Sequence, residues 1–110
     1  MTNEERDRLI AKKVFDAKLK EYQETLGYQH GDGAWFACYH NEQGMMAILE
    51  KMRELEYYFI LERPYQAPNI CSFKKVMGLG NHVVWTSEHE HLPTAVAIAA
   101  LKALEDTNGN

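Results

Sequence analysis

The chain has little that would staple it, anchor it or mark out a reaction. Two cysteines in 110 residues, Cys38 and Cys71, are too few for a disulfide framework. Each lies in an apolar, strand-like run, where a buried and inert thiol is the expectation. No segment repeats and none is of low complexity. No apolar run approaches the roughly 18 residues of a membrane span. The opening MTNEERDRLI lacks the apolar stretch of a secretory leader. A cytoplasmic protein with reduced thiols and no membrane partner is therefore expected. Positive charge is also short: 12 Lys and Arg face 16 Asp and Glu, for a net charge of −4. That balance argues against a general nucleic-acid binder, which needs a concentrated cationic surface.

What is present is the material of one globular domain. Apolar residues make up 45% and charged residues 25%, enough for a core and a solvated surface. The domain is expected over 1–106, with 107–110 a polar tail. Thr2 and Glu5 form a capping box at a helix start. Leu9, Ile10, Val14, Phe15, Leu19 and Tyr22 then recur at helical spacing, predicting one helix to about Leu26 with Gly27 as its stop. YQHGDG reads as a loop, and AWFACYH as a short extended aromatic run. Asn41 is a good N-cap for a second helix, along which Met45, Ile48, Leu49, Met52 and Leu55 form an apolar stripe.

Three strand-like segments follow: YYFILER, NICSFKKVM and NHVVWTSEH, the last two joined by the hairpin-sized link GLGN. Pro93 suits the first position of a last helix, since its missing N–H would have no partner there. Ala95 to Leu101 is apolar without a break, so that helix should be mostly buried. The fold class is α+β: a small antiparallel three-stranded sheet with about three helices packed on it. Three strands leave two edges, which invites a second copy or a cover, and a homo-oligomer is expected.

No residue set converges on a reaction. His89 and His91 are two apart, which in a strand places them on one face within reach of one metal ion. His82 and Glu88 could add ligands but their alternation does not place them on that face, and polar residues closing a strand before a helix are the better account. Cys38 and His40 are a nearby thiol–imidazole pair without a third group to orient them. GLGNH has the glycines of a phosphate loop, but it joins two strands instead of opening a helix. The aromatics are the richer signal. Trp35, Tyr39 and Trp85, with His40 and Arg63, are the candidate ligand-binding residues, since flat rings beside a cation suit an anionic aromatic ligand. The same rings also suit a core or a subunit interface. No catalytic residues and no cofactor are assigned.

Three segments carry a resemblance. TNEERDRLIAKKVFD, NEQGMMAILEKMRE and HLPTAVAIAALKALE, in that order around three short strands, are similar to helices of the phage ABA sandwich domain family of small bacteriophage and prophage proteins. The chain departs from that pattern at Phe15–Ala17 and through HGDGAWFACYH. The resemblance implies a three-layer α/β/α sandwich, a phage origin and the cytoplasm of an infected or lysogenic bacterium. It brings no catalytic residues. The function it implies is that of a small accessory binding protein, an anti-defence candidate that sequesters a nucleotide-type signal or occupies a host protein. Metal-assisted hydrolysis at His89 and His91, or a structural interaction module, are the alternatives.

Overall fold

The computed structural model describes residues 1–108. The elements are α1 (Asn3–Ile10), β1 (Lys18–Tyr22), β2 (Thr25–Gln29), β3 (Trp35–Phe36), α2 (Glu42–Glu54), β4 (Tyr58–Glu62), β5 (Asn69–Met77), β6 (Asn81–His89) and α3 (Leu92–Asn108). The fold is α+β, with three α-helices and two small antiparallel sheets among the described residues, ordered β1-β2-β3 and β4-β5-β6. Among the described residues no helix is long and apolar enough to cross a membrane. Helix α3 runs into the polar tail expected at 107–110, and positions 109–110 of that tail lie outside the described residues.

The first helix is much shorter than its periodicity predicts. Its start is as expected: Thr2 Oγ1 accepts from the Glu5 amide at 3.1 Å. It ends at Ile10, passes through one widened turn over Ala11–Phe15, and stops where Asp16 adopts left-handed backbone at φ 52°. The Ala17 amide closes that end on the Ala11 carbonyl at 2.8 Å, a C-terminal cap made with Asp in place of Gly. Leu19, Tyr22 and Leu26, whose spacing continues the helical stripe, lie instead on a β1–β2 hairpin, each more than half exposed. Gly27 stops no helix. It lies within β2, paired with Lys20.

Elsewhere local chemistry and structure agree closely. The Asn41 side chain accepts from the Gly44 amide at 2.7 Å and starts α2. Ile48, Leu49 and Met52 of α2 are buried. Strands β5 and β6 form a nine-residue ladder from Asn69↔His89 to Met77↔Asn81 around the Gly78–Gly80 turn. Alternation sends Cys71, Phe73, Trp85 and Ser87 inward against α3. Helix α3 supplies Ala95, Val96, Ala99, Ala100 and Ala103, all fully buried. Small side chains let its backbone approach the sheet closely. Pro93 falls in the first turn, one residue after the helix start.

The opposite face of the β4–β6 sheet is open. Tyr58, Ile60, Val76 and Val84 project there, 47–67% exposed. The shortest dimension of the molecule is 22 Å, which accommodates this sheet and one layer of helices packed about 10 Å away.

Candidate functional site

The aromatic loop that separates the two halves of the chain is fixed by two close approaches. Gly44 sits where a Cβ would come within 2.4 Å of the Tyr39 backbone, so the loop rests directly on the first turn of α2. Tyr39 is thereby drawn fully inside, stacked on Phe15 at 5.2 Å and Tyr28 at 5.2 Å, with its hydroxyl 2.6 Å from His30 Nε2. Burial, with the neighbouring Tyr28 and Asp7, pushes the Tyr39 phenol well above its ordinary range. Burial also lowers the His30 pKa, and the Lys51 ammonium adds to that shift. The result is a neutral, hydrogen-bonded aromatic box.

The second approach is at Gly27. A Cβ there would lie 2.4 Å from the Trp35 ring. The missing side chain lets the indole lie across β2, with Nε1 donating to the Lys20 carbonyl at 2.9 Å and Tyr22 5.5 Å away. Trp35 is thus a rigid half-buried wall. It faces the exposed side of α2 across a hollow of about 620 Å³ lined by Phe36, Glu42, Met46, Ala47 and Glu50 among others. Two smaller hollows adjoin it. One, about 360 Å³, shares Phe36, Ala47 and Glu50 and reaches Phe15 and His30. The other, about 280 Å³, shares Met46 and Glu50 and reaches Arg53 and Phe59.

Together these hollows form a groove along one stripe of α2, where Glu42, Met46, Glu50 and Arg53 follow at helical spacing. Met46 is 56% exposed at its centre. The main hollow has two carboxylates and no cation. Lys51 and Arg53 each line one end of the groove, and Lys51 is shared with Glu54 at 3.9 Å. An apolar floor with a flexible Met and a carboxylate rim suits an apolar side chain flanked by positive charge. A further hollow of about 540 Å³, which meets the groove at Arg53, differs in character, with Arg53, Lys75 and Glu56 beside Tyr57 and Tyr58.

The five residues singled out from the sequence are not brought together. Trp35 lines the groove. Tyr39 and Trp85 are core residues, and the Trp85 Nε1 donates to Asp106 Oδ2 at 2.6 Å, tying the sheet to α3. Arg63 is exposed beyond the end of β4. His40 turns the other way, its Nδ1–H donating to the buried Asp7 carboxylate at 2.7 Å. His89 and His91 are exposed and have no third ligand near them among the described residues. Their nitrogens have other partners: His89 Nδ1 accepts from the His91 amide at 3.0 Å, and His91 Nε2–H donates to the His40 carbonyl at 2.8 Å.

Cys71 is buried and inert, its thiol pushed up to about 12 by burial. Cys38 is only half-buried, its thiol raised by desolvation and by Asp7 against a lowering hydrogen bond from the His40 amide. Sequence reasoning missed the groove, because Met46, Ala47 and Glu50 are ordinary residues on the solvated face of a helix. Only the packing of Trp35 opposite them makes a site. No protein-family model matches the chain, and no curated protein or solved structure matches it.

Proposed function

We propose that the chain is a non-enzymatic binding protein whose working surface is the groove between Trp35 and α2. Its partner is a protein segment that presents an apolar side chain flanked by Lys or Arg. The observation that carries this reading is Met46, more than half exposed on an apolar floor between Glu42 and Glu50 and opposite a pinned indole. At the groove's centre the charged rim is carboxylate, with Lys51 and Arg53 only towards its ends, and an exposed apolar floor so bordered favours a partner of positive charge. The likeness of the three helical segments to phage ABA sandwich proteins adds the biological setting: an accessory protein that occupies a host component. In the same reading, a second copy covers the open face of the β4–β6 sheet and completes a third layer.

Selection of a random peptide display library on the immobilised protein tests the groove. Enriched peptides should pair an aromatic or long aliphatic residue with adjacent Lys or Arg, and they should be lost on Met46→Glu and on Glu50→Lys. No enrichment, or equal retention by both variants, would sink the reading.

The nucleotide version has its own support in the hollow between Arg53 and Lys75. Arg53 and Lys75 there could meet phosphates while Tyr58 stacks on a base. Isothermal titration with cyclic mono- and dinucleotides discriminates. Heat that disappears in Arg53→Ala and Lys75→Ala supports the nucleotide ligand, and no heat excludes it.

A further inference from the structure

The Asp7–His40 contact belongs to a larger constellation that the groove does not use. Asp7 comes from α1, and Cys38 and His40 come from the loop before α2, 31 and 33 positions further along the chain (38 − 7 and 40 − 7). One donor atom from each, a carboxylate oxygen, a thiol sulfur and an imidazole nitrogen, lies within 4.8 Å of the other two. No other group of three or more His, Cys, Asp or Glu converges in this way among the described residues. Sulfur, nitrogen and oxygen donors together match a borderline cation of the zinc class, whereas calcium and magnesium prefer oxygen alone.

The arrangement is organised in advance. Tyr39, between Cys38 and His40, is locked in the core by its rings and by the Gly44 approach, so its two neighbours leave the same rigid strut. The His40 amide donates to the Cys38 sulfur. His91 holds the His40 carbonyl at 2.8 Å from outside. Asp7 is only 4% exposed, while Cys38 and His40 are half-buried and leave an entry path.

Tetrahedral zinc would set carboxylate oxygen and imidazole nitrogen about 3.3 Å apart, and sulfur and nitrogen about 3.6 Å apart. The 2.7 Å Asp7–His40 contact therefore has to open by about 0.6 Å. An ion bound there would displace the proton of that hydrogen bond.

A Cys–His–Asp nucleophile is the competing use of these groups. It is disfavoured because a buried carboxylate beside the sulfur repels a thiolate unless a cation lies between them. We propose that Asp7, Cys38 and His40 form a three-ligand site for a zinc-class divalent ion, with the fourth position left to solvent. Such an ion clips α1 to the loop that leads into α2. His91 is a positioning residue for His40, not a ligand.

Titration of the metal-free protein with cobalt(II) under reducing conditions tests the site directly. A thiolate-to-cobalt charge-transfer band should appear, saturate at one equivalent and be displaced by zinc. Cys38→Ser should abolish the band while keeping the wild-type far-ultraviolet circular dichroism, and Cys71→Ala should retain it. His40→Ala should weaken zinc binding by about 100-fold or more, beyond the usual loss from removing a supporting residue. Zinc at one equivalent should raise the thermal midpoint of the wild type but not of Cys38→Ser. Absence of the band, or its survival in Cys38→Ser, overturns the proposal. Met46→Glu should leave the cobalt spectrum unchanged, so this result is read independently of the groove.

Discussion

His30 shows how one side chain ties the loop to its surroundings. Its ring stands 4.3 Å from Phe15 and 4.7 Å from Phe36, with Nε2 on the Tyr39 hydroxyl and Lys51 as the nearby cation from α2. Glu50 and Glu54 line the same hollow. Desolvation first, and Lys51 second, lower its pKa in the folded state. The unfolded chain therefore binds the proton more readily. The stability that neutral His30 contributes is fully present above the unfolded value and is lost as pH falls through the folded one. Urea midpoints measured from about pH 7 down to about pH 5 should fall more steeply for wild type than for His30→Gln. Equal slopes would mean the ring is not desolvated in solution. From sequence, His30 was only a loop residue, because neither Phe15 nor Tyr39 is its neighbour in the chain.

Among the elements, the first helix and the hairpin that replaces its second half are the instructive pair. Leu19, Tyr22 and Leu26 keep helical spacing, and the three-residue step from Leu19 to Tyr22 puts them on opposite faces of β1, so no alternation marks the strand. Periodicity over so short a window therefore points to a helix. The usual hairpin signal is missing as well. The β1–β2 turn is made by Gln23 and Glu24, both at positive φ (50° and 66°), where Asn-Gly is the favoured pair. That mismatch makes a prediction. Replacing Gln23-Glu24 by Asn-Gly should stabilise the protein by about 0.5–2 kcal/mol, read as a higher urea midpoint. An unchanged or lower midpoint would contradict the left-handed turn. The β5–β6 hairpin carries Gly78 and Gly80 at its turn, and it was legible for that reason.

On the scale of the whole molecule, the open face of the β4–β6 sheet matters most. Tyr58, Ile60, Val76 and Val84 make it apolar, while Glu62, Lys74 and Glu88 on the same face supply charges of both signs. A two-fold copy can pair such a face with itself, placing Lys74 of one protomer near a carboxylate of the other. Sedimentation equilibrium should therefore show a concentration-dependent dimer, and Val84→Lys should convert it to monomer without loss of fold. A monomer at all concentrations would leave the face without a second copy and the sheet with a single helical layer.

The sequence alone determined the parts whose signals are local. Thr2, Asn41 and the Gly78–Gly80 turn act through atoms a few residues away, so α2, β5, β6 and the buried α3 follow from propensity, capping and alternation. It did not determine where Asp16 would end the first helix, or that Gly27 would serve as a floor for Trp35 instead of a helix stop. It also did not show that Asp7 would stand beside Cys38 and His40, or that Met46 would face an indole. Those outcomes depend on which surfaces meet once the chain closes on itself. Contacts between residues about 8–33 positions apart (35 − 27 and 40 − 7) leave no pattern in the intervening segment, because packing energy is set by neighbours in space.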